Sequence, residues 1–264
     1  MKKNDIIRFC LTSNLYGTII SDVYSNEEKE EIVQALEKVC NRTEYYSFDK
    51  IGVYFYWDYD TREILYIGLT NDLKRRFKEH NGLVENVNTG NKFKKIQEYF
   101  KNKEKLGFSI LVQSPLSHKD YQIFDKTEEV RIIEGAFIES FKKIEGEYPS
   151  WNECGGSKFG REDIFLERYT TILKSISLKE ITEFNAKSTL REIAKSEKIL
   201  MNESNLHAIR MMMYKYSLDF FGATAIFMEN LSNLANSGSM VAFNHFHAFE
   251  KLINSEYMNK KLKI

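Results

Sequence analysis

The sequence predicts an α+β fold in which a small, mostly antiparallel sheet is flanked by helices and joined to an all-helical C-terminal module. Three observations carry this expectation. Residues 51–68 alternate with a period of two about a polar turn. The segments on either side repeat apolar residues at helical spacing. Beyond Gly160 there is no Pro, and only Gly222 and Gly238 interrupt long helical patterns.

In chain order, Ser25-Asn26-Glu27-Glu28 has the form of a capping box, and Ile32, Val33, Leu36 and Val39 follow at helical spacing, predicting a helix near 26–41. Ile51, Val53 and Phe55 then alternate with Gly52, Tyr54 and Tyr56, and a second β run occupies 63–68. The polar stretch Asp58 to Arg62 between them makes an antiparallel hairpin. Thr70, Asn71 and Asp72 are competing N-caps for a helix that carries Lys74-Arg75-Arg76 and stops at Asn81-Gly82. On that helix Arg76 and His80 are four residues apart and share a face. Phe93 to Phe100 predict a further helix, Phe108 to Val112 a short strand, and Glu128 to Lys143 a helix with Glu134 off its apolar face.

In the C-terminal part, Thr189-Leu190-Arg191-Glu192 is a second capping box, and Asn205 to Asn236 fits two helices or one bent at Gly222. The run Gly155 to Gly160 reads as a hinge. Three regions follow: an N-terminal helical extension over 1–47, a central unit over 48–160, and a helical module over 161–264.

Composition narrows the class. With 264 residues, 42% hydrophobic and 29% charged, the chain can bury a sizeable core, which excludes a disulfide-stapled miniprotein and wholesale disorder. Lys plus Arg and Asp plus Glu are each 38, so a nucleic-acid site must come from local clustering of charge. Cys10, Cys40 and Cys154 form no CxxC pair, which fits a reducing cytoplasm. The apolar run Ile6 to Leu11 is too short for a signal-peptide core, and no stretch approaches a membrane span. Gly155-Gly156-Ser157-Lys158 lacks the frame of a phosphate-binding loop, His245 and His247 diverge at helical spacing, and Met211 to Met213 suit helix packing.

The chemistry concentrates in Gly52-Val53-Tyr54, Tyr66-Ile67-Gly68 and Asp72 to His80, with Glu134 in Ile132-Ile133-Glu134-Gly135 and Asn152 in Pro149-Ser150-Trp151-Asn152 following in order. Over about 48–157 this arrangement closely resembles the GIY-YIG nuclease family, with Val53 where the name motif has Ile. Any one of these residues alone is an ordinary tyrosine, arginine or glutamate; five elements in one order are specific. The chemistry suits them. Phosphodiester hydrolysis needs a base for water, a forked cation for phosphate, and a carboxylate able to hold Mg²⁺. Nearby cations are expected to lower the pKa of a phenol that acts as base.

The resemblance implies a metal-dependent DNA endonuclease, restriction-like or of mobile-element type, working with one Mg²⁺ or Mn²⁺ per site. Tyr54 would activate water with His80 orienting it, and Tyr66 and Arg76 would contact the scissile phosphate. Glu134 would hold the metal, with Glu139 on the same helix as its rival, and Asn152 would brace the site. Arg62 is the candidate for a hairpin cation that assists the base in some relatives. Lys74, Arg75, Lys78, Lys92, Lys94 and Lys95, interleaved with aromatics, form a candidate nucleic-acid track. The alternative is a nucleic-acid-binding or interaction protein that keeps this scaffold without cutting. The helical module over 161–264 would serve dimerisation or DNA contact, and a homodimer and no membrane partner complete the expectation.

Overall fold

The computed structural model describes residues 16–41, 46–84, 91–113, 126–162 and 166–264; Cys10 and the run Ile6 to Leu11 lie outside them. The period-two segment folds as expected into β2 (Gly52–Asp58) and β3 (Ile64–Thr70), paired antiparallel with Tyr54 opposite Gly68 and Tyr56 opposite Tyr66. β4 (Leu106–Gln113) pairs antiparallel with β2 on its other side.

The fourth strand corrects an expectation. Residues 16–24, placed by the sequence in a helical extension, form β1 (Tyr16–Tyr24), which pairs antiparallel with β4 to give the order β1-β4-β2-β3. Its buried positions include Thr18, Ser21 and Asp22, which no strand pattern marks as core. Each is satisfied from far along the chain. Ser21 Oγ lies 2.7 Å from Ser109 Oγ, Thr18 Oγ1 2.9 Å from His207 Nδ1, and Asp22 accepts from the Arg191 guanidinium at 3.0 Å. Burying such groups is tolerable only with partners.

Helices cover both faces. α1 (Lys29–Val39), α2 (Leu73–Asn81) and α3 (Asn91–Asn102) bury Ile32, Leu36, Phe77 and Ile96 against Tyr54, Tyr56, Phe108 and Ile110. On the opposite face Val53, Phe55, Trp57 and Ile67 meet Ile133 and Phe137 of α4 (Lys126–Glu145) and Ile172 and Ile176 of α6 (Leu166–Ile176). The core thus continues across residue 160. α1 begins later than the box at Ser25 suggests. Its N-cap is Glu28, whose side chain accepts the Ser25 N–H at 2.8 Å, so only the reciprocal half of the box forms.

Gly155 to Gly160 is packed rather than hinged. A Cβ on Gly156 would stand 2.7 Å from the Gly135 Cα, and one on Gly160 would collide with the Ile132 carbonyl. Three glycines therefore let α5 (Lys158–Glu162) sit directly on the backbone of α4.

Beyond this lie α7 (Leu190–Lys195), capped by the expected Thr189/Glu192 box, α8 (Glu197–Tyr216), α9 (Phe220–Asn236) and α10 (Met240–Ile253). The Asn205 to Asn236 stretch is two helices. Ser217 at φ 52° ends the first and Asp219 caps the second by accepting the Gly222 N–H. Arg191 fastens α7 to β1 and α1 through Asp22, Glu28 and Glu31. A fully buried pair, Arg210 Nη1 to Glu203 Oε2 at 2.9 Å, fastens α8, with Arg210 also donating to Thr18. Among the described residues no helix is long and apolar enough to cross a membrane.

Candidate active site

The register of the hairpin decides where the two motif tyrosines meet. Tyr54 on β2 and Tyr66 on β3 emerge on the same face, their ring centroids 5.8 Å apart. Between them lies Gly68. A Cβ there would stand 2.6 Å from Tyr66 Cε1 and 2.7 Å from the Tyr54 hydroxyl oxygen. The glycine of the second motif is thus the floor on which both rings rest. Tyr56, two residues along the same strand face, stacks at 6.3 Å on Tyr66 and is fully buried.

α2 brings the next two residues. Asp72 caps it by accepting the Arg75 N–H at 2.9 Å, settling the competition among the three candidates, and Gly82 at φ 72° ends it. Leu73 and Phe77 are buried beneath, which turns Arg76 and His80 toward the tyrosines. Arg76 is half-exposed, with Nη1 2.9 Å from Glu79, and its charge reaches Tyr54, Tyr56 and Tyr66. His80 is buried, with its ring 5.6 Å from that of Tyr54 and 5.9 Å from that of Tyr66. Its Nδ1 finds no hydrogen-bond partner among the described residues. Burial, then the charges of Arg76 and Lys92, push its pKa down to about 3, so the ring is neutral.

The expected lowering of the phenol pKa is overturned in the free protein. Burial and the neighbouring phenols Tyr66 and Tyr56 hold the Tyr54 hydroxyl well above the ordinary tyrosine range; Arg76 pulls the other way and is outweighed. Burial likewise raises Tyr66, with Glu134 adding to it.

Glu134 and Asn152 reach the cluster by the free edge of β3. The Asn152 side chain accepts the Ile67 N–H at 2.9 Å and donates to the Ile67 carbonyl at 2.8 Å, standing in for a missing strand neighbour. One residue pair along, the Leu69 N–H lies close enough to the Glu134 carboxyl to favour its charged form. α4 packs under the sheet, but Glu134 sits where the helix passes the edge, close enough for its charge to act on Tyr66. Burial pushes its carboxyl up to about 7, against the pull of the Leu69 N–H and of Arg131.

The cations sort into two groups. Lys74 pairs with Glu37 of α1 at 2.8 Å and Arg75 with Glu79 at 3.4 Å. Lys94 is exposed, Lys78 half-buried, and Lys95 donates to the Ser150 carbonyl at 3.3 Å. Lys92 differs: its Nζ stands 4.7 Å over the Tyr66 ring and donates to the Trp151 carbonyl at 2.5 Å. Arg62, the hairpin candidate, lies away from the tyrosines, stacked 4.9 Å from Trp57 and 4.8 Å from Tyr59 with the α4 face of the core. Tyr56 and Trp151 belong to the cluster and were not singled out from the sequence. Their position beside motif residues, two from Tyr54 and one from Asn152, was the available signal.

Among the described residues no three His, Cys, Asp or Glu side chains converge into a metal cage. The donor set still fits Mg²⁺, which keeps most of its waters and needs one or two carboxylates plus phosphate oxygens. Glu134 is such a carboxylate, destabilised by burial in a way that a nearby cation would relieve.

A small antiparallel sheet flanked by helices thus carries two phenols, a guanidinium and a carboxylate at one edge. Residues 50–148 match the model of the GIY-YIG catalytic domain, a stretch that includes Tyr54, Tyr66, Arg76, His80 and Glu134 and ends before Asn152. No curated protein and no solved structure matches the chain.

Proposed function

We propose that the protein is a metal-dependent DNA endonuclease, site-specific in the manner of restriction or mobile-element enzymes. The observation that carries this reading is the meeting of the Tyr54 and Tyr66 rings over Gly68, with the Arg76 charge upon them and the Glu134 carboxyl at the adjoining strand edge.

In this reading Tyr54, as phenolate, takes a proton from water as that water attacks phosphorus. The bond to the leaving oxygen breaks and that oxygen takes a proton from a solvent water, giving a phosphomonoester and a free hydroxyl, while Tyr54 releases its own proton to solvent and returns to the phenolate. Arg76 presents a fork of N–H donors to the phosphoryl oxygens as charge accumulates on them, and the Tyr66 hydroxyl donates to the same group. Neutral His80 packs edge-on against both rings and fixes their positions. Asn152 holds the strand on which Tyr66 sits. Glu134 would hold a divalent ion, which when bound would supply neutralisation of the negative charge that builds up in the reaction.

The catalytic unit is read as 48–160, with 161–264 as a helical module that braces the sheet and serves a homodimer. The cytoplasm is the proposed compartment. Lys78, Lys94 and Lys95, with Lys74 and Arg75 freed from their acid partners on binding, would follow the DNA backbone.

The test is conversion of supercoiled plasmid in Mg²⁺ by the wild type beside Glu134→Ala and Arg76→Ala. Conversion by the wild type alone is expected. Equal conversion by all three, or binding without conversion on several DNA sources, would overturn the reading.

A further inference from the structure

One cation in the cluster has no counterpart among the motif residues. Lys92 opens α3, and its neighbours on either side are anchored. Asn91 Nδ2 donates to Glu153 Oε1 at 2.7 Å, tying the helix start to the loop that carries Asn152. Phe93 fills the space beside Gly82, where a Cβ would collide with its ring. The ammonium is therefore delivered by built structure. It stands 4.7 Å over the face of Tyr66 and spends one donor on the Trp151 carbonyl. An ammonium has three donors, so others remain for a phosphate.

Partial burial of a lysine costs free energy, and here burial, then Lys95, pulls its pKa below the ordinary value. Its charge is felt at His80. Lys101 and Lys103 further along the chain instead reach outward to Glu98 and Asp60, each at 2.6 Å. The hairpin offers no substitute, because the Arg62 guanidinium is stacked on Trp57 and Tyr59 on the other side of the sheet.

We infer that Lys92, and not Arg62, is the second cation of the active site, reaching the scissile phosphate over the Tyr66 ring while Arg76 reaches it from α2. This rests on the nuclease reading and extends it. It separates Lys92 from the backbone track. A track lysine contributes affinity that salt erodes, whereas Lys92 contributes to the rate of the bond-breaking step.

The experiment compares wild type, Lys92→Met, Lys92→Arg and Arg62→Gln in full-length protein, each checked by thermal melting. Two quantities are measured: the single-turnover rate on supercoiled plasmid in Mg²⁺, and affinity for a fluorescent duplex in EDTA. Lys92→Met is expected to lose about 10²-fold or more in rate, the order seen on removing one transition-state donor, with affinity within about threefold. Lys92→Arg recovers part of the rate, and Arg62→Gln stays near wild type. Should Lys92→Met fail to fold, Lys92→Gln takes its place. The inference is overturned if Lys92→Met cuts at the wild-type rate, if its rate and affinity fall together as a track residue's would, or if Arg62→Gln carries the loss. A wild type that leaves the plasmid intact overturns the nuclease reading, and this inference with it.

Discussion

The Cα of Gly68 lies beneath the hydroxyl of Tyr54, so close that a methyl group there would stand 2.7 Å from the phenol oxygen. A glycine two residues beyond Tyr66 therefore sets the position of a tyrosine on the neighbouring strand. Gly68→Ala is expected to cost about 1–3 kcal/mol, the range for overpacking a buried site. By moving Tyr54 out of line it should slow cleavage by about 10²-fold. Urea unfolding and plasmid conversion separate the two effects.

Glu134 links acidity to stability. Its carboxyl holds a proton to about 7 in the folded protein against an ordinary value of 4.5. Between those values the unfolded chain releases a proton that the folded one keeps. The contribution of this group to stability is full below about 4.5 and is lost as pH rises to about 7, an amount on the order of 3 kcal/mol. Glu134→Gln keeps an acceptor for the Leu69 N–H and removes the charge. Melting in EDTA should then show the variant more stable than wild type at pH 8 and indistinguishable at pH 4, while the variant no longer cuts DNA.

The Tyr54 phenol, raised by burial, is protonated throughout the neutral range. If its phenolate is the base, the single-turnover rate rises by about tenfold per pH unit between pH 7 and 9. Tyr54→Phe should abolish cleavage without changing DNA affinity in EDTA. A flat profile in that range would assign the base elsewhere.

Asn152 both donates to and accepts from Ile67. Asp at that position keeps an acceptor but sets a carboxylate against the Ile67 carbonyl. Asn152→Asp should lose about 1–3 kcal/mol, the cost of an unmade buried bond. Hydrogen exchange should quicken at Ile67 and Leu69 first.

Gly160 rests on the α4 backbone at Ile132, with no room for a methyl. Because backbone cannot yield as a side-chain tip does, Gly160→Ala is expected to destabilise by about 3 kcal/mol. A freely moving hinge would accept the alanine with little change in melting temperature.

What the sequence made legible were features whose cause is local. The hairpin was visible in its alternation, α2 in Asp72 and Gly82, and the α7 cap in Thr189 and Glu192. β1 was not, because Thr18, Ser21 and Asp22 sit at buried positions and owe their acceptability to His207, Ser109 and Arg191, more than 80 residues away. Gly155 to Gly160 reads as flexible for the same reason: glycine permits both freedom and close approach, and only Gly135, from another helix, decides between them. At the site the six named side chains gather on one strand edge and the face beside it. Neither the fall of Arg62 on the far face nor the inward turn of Lys92 could be read from spacing, since both depend on how α3 and α4 dock.

β3 is the outermost strand on its side of the sheet, with its outward backbone groups at Ile67 bonded to the Asn152 side chain and its Leu69 N–H facing the Glu134 carboxyl. An unoccupied strand border is a template on which another polypeptide can add itself. The two side chains that prevent this are also the ones proposed to brace and charge the reaction centre. An inactivating substitution at either position therefore carries a risk of self-association, and colloidal behaviour and chemistry in this protein must be judged together.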